Sequence, residues 1–557
     1  MEYLIFLILV IVFLLFVFVN GAINAKKQKA KFVRDLYENY GILPEKEYKP
    51  GKLEQIANYY RRHKREGQLD DITWNDLNLD EVFKRVNYTY TSAGEEYLYY
   101  TLRTPALYGE ELADREKLIQ YFRENPKARV ELQVILAELG YSGKYSIYDY
   151  LENLHLLGER NNLKHYIADF LFLPLILLCI FKPSLGFMGI SAIIIYNFTT
   201  YFKEKNEIDP YIISFSYVMR LLRCADKISK LKDIGFEKER EQMDRARKGL
   251  SQFRRGSFWL MSAGRMSGSG SPLDILFDYL RMMFHLDLIK FNNMLTEVRK
   301  HIDDVDRMLE IAGYLETQIA IGAYRQSLET WCVPVEAEKL NATDMVHPLI
   351  ESAVPNSICL KQGVLLTGSN ASGKSTFLKT VALNAIMAQT LHTCLATSYA
   401  GPFYHIYSSM ALKDDLDQGE SYYIVEIKSI KRILDKSHEA GGKVLCFVDE
   451  VLRGTNTVER IAASTQILKC LAKENVTCFA ATHDIELTEL LKDCYENYHF
   501  EEEIVEGDVR FSYRLKEGKA TTRNAIKLLS VMGYNNSIIR EAEEMSRRFL
   551  ESGNWSL

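Results

Sequence analysis

The hydrophobic pattern divides the chain into distinct textures. Residues 4–19 form an unbroken apolar run, followed by Lys26, Lys27, Lys29, Lys31 and Arg34. Residues 35–165 place apolar side chains three and four apart, as in 81–86 and 115–122, and this spacing predicts helices punctuated at Pro126 and at 140–143. A second apolar region, about 166–202, is broken by Phe181, Lys182, Pro183 and Ser184. Residues 204–255 continue as charged helix, Gly/Ser-rich 254–272 interrupts it, and helical periodicity returns from Leu273 to about Gly322. From Thr343 onward short apolar or β-branched runs (363–366, 443–448, 476–481) alternate with helical stretches. That alternation predicts an α/β domain with a mostly parallel sheet, C-terminal to an all-α helical region.

At about 1.5 Å per residue the first run falls slightly short of a ~30 Å hydrocarbon core, so Tyr3 and residues 20–23 are expected to complete a span. Positive charge follows the run instead of preceding it, as in an uncleaved anchor, and it places the following side in the cytoplasm. The region 166–203 reads as a membrane hairpin, entering at Ile167, or at Phe170 if Asp169 stays outside the bilayer, and returning near Tyr201. Tyr166, Tyr196 and Tyr201 are its interfacial anchors, with Lys203 and Lys205 on the inner side. A pair of buried core helices is the alternative. Three spans put 21–165 and 204–557 in the cytoplasm of a multi-pass cell-membrane protein. The expected organisation is an anchor (1–23), a helical region (24–165), a membrane hairpin (166–203), a second helical region (204–342), the α/β domain (343–520) and a C-terminal helical element (521–557).

Composition adds limits. With 557 residues, 47% hydrophobic and 26% charged, the chain has enough apolar material for several cores, which excludes a disordered or disulfide-stapled protein. The net charge of −5 supplies no general attraction for nucleic acid. The nine cysteines lack C-x-x-C pairs or zinc spacing and read as reduced thiols.

The strongest chemical signal is Gly368-Ser369-Asn370-Ala371-Ser372-Gly373-Lys374-Ser375-Thr376, between a predicted strand and a predicted helix. Its glycines let backbone N–H groups converge on phosphate oxygens, Lys374 reaches the β- and γ-phosphates, and the Ser375 hydroxyl suits Mg²⁺. A second apolar strand ends in Asp449 and Glu450: Asp449 is suited to hold Mg²⁺, and Glu450 to polarise an attacking water. A third ends at Thr482-His483-Asp484, placing an imidazole at the strand edge where α/β sheets bind ligands.

Together these motifs resemble the ATPase of the MutS family, a relative of the ABC-type ATPases. The resemblance rests on residues 368–376; on Asp414-Asp415-Leu416 followed by 419–426, which runs Gly-Glu-Ser-Tyr-Tyr-Ile-Val-Glu; on 449–457; on 481–487; and on His347-Pro348 upstream. It implies ATP as substrate, Mg²⁺ as cofactor and a homodimer in which Ser421 reaches the partner's γ-phosphate. Arg453, Gly454 and Thr455 look like the loop coupling the two sites, His483 like the switch histidine, and 525–549 like the helices that latch family dimers. Residues 91–98, 102–106 and 115–122 look like the family's helical core. A mismatch-reading domain with its Phe-x-Glu wedge has no counterpart in 1–80. Residues 353–356 look like the family's base-contacting strand but lack its stacking aromatic, so ATP over GTP rests on resemblance alone.

The resulting expectation is a membrane-anchored ATPase whose nucleotide-driven dimer closure moves helical arms, with membrane lipid and an unidentified protein as further partners. A membrane-tethered, DNA-binding, repair-type ATPase is the alternative, drawing on the basic stretches 61–65 and 245–255. An ABC-like transporter is a third.

Overall fold

In this computed structural model the described residues are all but Met1, 144–145, 233, 254–259, 261–271, 370–371, 411–421, 440, 453–454, 506–507, 521–525, 527–528, 530–532 and 553–557. They form two units, each assembled from separated stretches: 1–63, 87–100 and 117–324 in the first, 64–86, 101–116 and 325–557 in the second.

The first unit is helical. Helix α1 (Glu2–Glu38) runs without interruption, with Val12, Phe13, Phe16 and Val19 exposed. Helices α2 (Leu163–Phe181) and α3 (Pro183–Ile228) form the anticipated hairpin, turning at Lys182. Pro183 takes the first helical position, where its missing N–H removes no intrahelical bond. The two helices approach closely at Gly189, where an added Cβ would lie 2.5 Å from a Leu175 methyl carbon. In each, only 17% of the most apolar stretch is buried. Helix α3 runs on past 204, where the sequence turns charged but stays helical, continues through Pro210 and buries Ile208, Phe215, Val218, Leu222 and Ala225. Composition changes there while the backbone does not. A long helix, α4 (Ile302–Ser327), supplies Met308, Ala312 and Leu315 to a core shared with Phe122, Leu136, Phe215 and Phe291. The 254–272 segment lies outside the described residues except for Leu260 and Pro272.

The second unit contains twelve strands among the described residues: β1 (Val335–Glu336), β2 (Asn341–Met345), β3 (Asn356–Cys359), β4 (Gly363–Thr367), β5 (Ser398–Gly401), β6 (Tyr404–Ser409), β7 (Lys443–Asp449), β8 (Val476–Ala481), β9 (Tyr495–His499), β10 (Glu502–Val505), β11 (Asp508–Phe511) and β12 (Lys516–Glu517). Its principal helices are α5 (Lys374–Thr390), α6 (Tyr422–Glu439), α7 (Thr457–Leu471) and α8 (Asn536–Ser552). The main sheet has the order β12-β9-β4-β8-β7-β6. Its neighbours from β9 to β6 are parallel, while β12 closes the edge antiparallel to β9. Central strands β4, β7 and β8 are buried along most of their length, which explains their continuous apolar sequences. A separate mixed sheet, β1-β5-β2-β3, and the antiparallel pair β10-β11 accompany it, so the unit is not purely parallel.

Two stretches assigned by pattern to the helical region belong to this unit. Asp76 accepts hydrogen bonds from Ser408 Oγ (2.7 Å) and the Met410 N–H (2.9 Å), and Thr73 Oγ1 accepts from the Ser408 N–H (3.1 Å). The helix Asp71–Asp76 thus covers the open edge of β6, where unpaired backbone would otherwise be exposed. Ala106 exchanges hydrogen bonds with Gln389 near the end of α5, its N–H donating at 2.8 Å and its carbonyl accepting the Gln389 amide at 3.0 Å.

Candidate nucleotide site

After β4 the backbone turns through Gly368 (φ 143°) and Gly373 (φ 111°) into α5. A Cβ at Gly368 would lie 2.8 Å from the Phe500 carbonyl oxygen, so backbone conformation and space both demand glycine there. Lys374, the first residue of α5, donates from Nζ to the Gly368 (2.9 Å) and Ser369 (2.8 Å) carbonyls, which hold the ammonium against the loop. The loop and the start of α5 border a cavity of about 660 Å³. Ser369, Gly373, Lys374, Ser375 and Thr376 line one side, Glu450 and His483 contribute carboxylate and imidazole, and Ala353, Val354 and Asn356 add the upstream segment. Gly368, Ser372 and Asp449 are not part of that lining. Asn370 and Ala371 lie outside the described residues.

The sheet register brings the acid and the imidazole together. Asp449 pairs with Ala481 at the ends of β7 and β8, and the Glu450 N–H extends the ladder by donating to the Ala481 carbonyl at 2.9 Å. His483 follows two residues beyond Ala481, and its Nε2 lies 2.7 Å from Glu450 Oε1. The Thr482 N–H bonds the Leu366 carbonyl (2.9 Å), and Asp484 is gripped by Arg460 through two bonds of 2.8 and 2.6 Å, so both ends of the histidine turn are tied down. Ser375 and Asp449 offer only oxygen donors, which fits a hard cation such as Mg²⁺.

His347 also borders the cavity. Burial, reinforced by the cations Lys379 and Arg85, pushes its imidazole down to about 4, so it is neutral at pH 7. The Leu349 N–H donates to His347 Nδ1 at 3.1 Å, which leaves the imidazole proton on Nε2.

Tyr513 is a residue that pattern reading did not single out. It lines the cavity just after β11, stacks on Phe511 at 5.8 Å, and stands 3.3 Å from the position of a Cβ on Gly373. Asn356 fixes this segment, its amide donating to the Tyr513 carbonyl (3.0 Å) and its side-chain oxygen accepting from the Leu515 N–H (2.7 Å). An aromatic face is therefore present opposite residues 353–356, but from a segment some 150 positions away. No local motif marks it. Ser421, Arg453 and Gly454 lie outside the described residues. Thr455 precedes α7, its hydroxyl 3.3 Å from Glu459.

Comparison with known proteins finds similarity in the C-terminal part of the chain. A family model described as MutS domain V matches residues 364–550. DNA mismatch repair protein MutS from Thermotoga petrophila is 31% identical over 270 residues, covering 46% of this chain and 33% of that protein. MutS protein homolog 4 from Homo sapiens is 28% identical over 286 residues, covering 48% and 30% respectively. The chain thus spans about a third of the length of these curated relatives. Residues 364–550, which supply most but not all of the cavity lining, are similar to domain V of the MutS family.

Proposed function

We propose that this protein is a membrane-anchored, Mg²⁺-dependent ATPase of MutS type that works as a homodimer and couples nucleotide state to movement of its helical arms. The observation that carries this reading is the convergence of Lys374, Glu450 and His483 on one cavity headed by the phosphate loop. The loop amides and Lys374 bind the phosphates. Glu450 orients the attacking water, and His483, 2.7 Å away, responds to the γ-phosphate. Ser375 and Asp449 would hold Mg²⁺, which would supply charge stabilisation for the transferred phosphoryl group. Tyr513 supplies the face on which the base stacks, and Ser421 of the second subunit completes the site. In the detergent-solubilised chain, ATP turnover is expected to require Mg²⁺, and Glu450→Gln is expected to cut it at least 100-fold while ATP binding survives. Unchanged turnover in that variant removes Glu450 from the mechanism.

Membrane anchoring draws on the outer face of the hairpin, where Phe170, Leu173, Ile176, Leu177, Ile180 and Phe181 are all more than half exposed. Covering each with an apolar medium recovers about 1.5–3 kcal/mol, a gain that lipid provides. Retention of the chain in carbonate-washed membranes, lost on deletion of 166–203 together with 1–23, tests it.

A DNA-binding function is the second reading, favoured by the mismatch-repair name of the Thermotoga relative. The basic stretches that suggested it carry internal partners: Arg65 pairs with Glu111, Arg247 with Asp226 and Asp244, and Lys248 with Asp244. Salt-dependent duplex binding supports the DNA reading, and a flat titration refutes it.

A further inference from the structure

The turn that presents Glu450 has an unusual backbone. Glu450 and Leu452, neither a glycine, both adopt left-handed conformations, with φ of 62° and 60°. Side chains disfavour this region, and such residues persist only where surrounding contacts over-determine them. Three contacts do so here. The Glu450 N–H bonds Ala481 of β8 (2.9 Å), the Val451 carbonyl accepts from Ser464 Oγ of α7 (3.2 Å), and the Leu452 N–H donates to Glu426 Oε1 of α6 (2.6 Å). The last is the shortest and the only one made to a carboxylate, the stronger class of acceptor. Glu426 is 2% exposed, and Val451 and Leu452 are buried beside it. A buried acid bonded to a backbone amide two residues past the catalytic carboxylate has little to do with solubility. It is placed to set the turn's conformation, and so the direction of Glu450.

We propose that Glu426 is a positioning residue for hydrolysis: by holding the Leu452 amide it keeps the left-handed turn that aims the Glu450 carboxylate into the cavity. This rests on the ATPase reading above. Glu426 is not among the residues that line the cavity, so its loss should leave nucleotide affinity intact and act on the chemical step alone. Because α6 begins at Tyr422, directly after Ser421, the same contact gives the helix behind Ser421 a mechanical hold on the catalytic acid of its own subunit.

The test uses the full chain in detergent, with ATP turnover and fluorescent-nucleotide binding measured for Glu426→Met, Glu426→Gln and each of these combined with Glu450→Gln. Glu426→Met keeps side-chain volume and removes the acceptor, whereas Glu426→Gln keeps an acceptor oxygen. The expected result is at least a tenfold fall in kcat for Glu426→Met, with KM and nucleotide Kd within threefold of the parent, and recovery to within threefold of parental kcat in Glu426→Gln. In the Glu450→Gln background Glu426→Met should cost nothing further, because it acts through the acid already removed. A parental kcat in Glu426→Met overturns the inference, as does a loss that Gln does not restore or that adds in full to Glu450→Gln. A parent chain that binds ATP without hydrolysing it overturns the ATPase reading itself, a separate outcome seen before any Glu426 variant is compared.

Discussion

Arg325→Met should destabilise the second unit by about 3–5 kcal/mol at pH 7, the range for removing one partner of a buried pair. Arg325 is almost fully buried near the end of α4. Its guanidinium donates to both Glu116 carboxylate oxygens at 2.7 Å, to Thr393 Oγ1 at 2.8 Å and to the His392 carbonyl at 2.7 Å. His392 and Thr393 follow the phosphate-loop helix, so the arginine fastens the far end of α5. Burial alone would raise the Glu116 carboxyl, but hydrogen bonds from Arg325 and His392 outweigh it and pull the group from 4.5 down to about 2. A displacement of that size corresponds to about 3.4 kcal/mol at 1.36 kcal/mol per pH unit, and solvent screening of a carboxylate about one-third exposed reduces it to roughly 2 kcal/mol. Because the folded value is depressed, this stability is present above about pH 4.5 and is lost as pH falls toward 2. Urea melts of parent and Arg325→Met can be followed through Trp331, whose ring lies 4.7 Å from the Arg325 guanidinium carbon. The stability difference should shrink as pH falls from 7 to 2, by less than about 2 kcal/mol because His392 supplies part of the depression. A difference below 1 kcal/mol at pH 7, or one that does not change with acid, refutes the assignment.

Tyr513→Ala should weaken ATP binding about 5- to 160-fold, from the roughly 1–3 kcal/mol that base–aromatic stacking contributes, while Tyr513→Phe stays near the parent; equal affinity for Ala and Phe in a calorimetric titration removes Tyr513 from the base site. Gly94→Ala should cost the helical unit about 1–3 kcal/mol, because a Cβ there would lie 2.7 Å from the Glu316 carboxyl carbon and 2.9 Å from the Thr89 Cβ; an unchanged thermal midpoint contradicts the packing. His63 makes 3.0 Å contacts to Asp306 Oδ2 and the Tyr59 carbonyl, and although burial opposes it, the bond to Asp306 raises the imidazole above its usual value. That contribution is fully present below pH 6.5 and disappears as pH rises through the elevated folded value. NMR titration of His63 in parent and Asp306→Asn checks it: the midpoint should drop in the variant, and an unmoved midpoint contradicts the pairing.

The legible parts of this protein are those where one physical constraint acts on consecutive residues. Strands β4, β7 and β8 are buried over most of their length, so each must be apolar throughout, and each was readable as a run. The phosphate loop demands glycine at positive φ beside a helix start, and Gly368 and Gly373 answer that demand within six residues. The hairpin turn at Lys182-Pro183 is readable for the same reason. Short polar strands escape such reading: β1 and β12 have two residues each, too few for any period to show.

What the pattern could not reveal is partnership between distant segments, and the site's finish depends on it. Residues 64–86 are helical by periodicity whichever core they join, and contacts such as those of Asp76 and Thr73 at the edge of β6 decide the matter. Tyr513 is one of 34 tyrosines, distinguished by an asparagine at 356 that holds its backbone and by a glycine at 373 that leaves it room. Glu426 shows the limit most clearly. Its place in the motif at 419–426 was visible, but its role depends on meeting the Leu452 amide 26 positions on, across a turn whose left-handed residues carry no glycine to announce it. Chemistry that binds phosphate is written locally because backbone amides do the work, whereas the aim of a catalytic carboxylate is set by whichever buried side chain holds its turn.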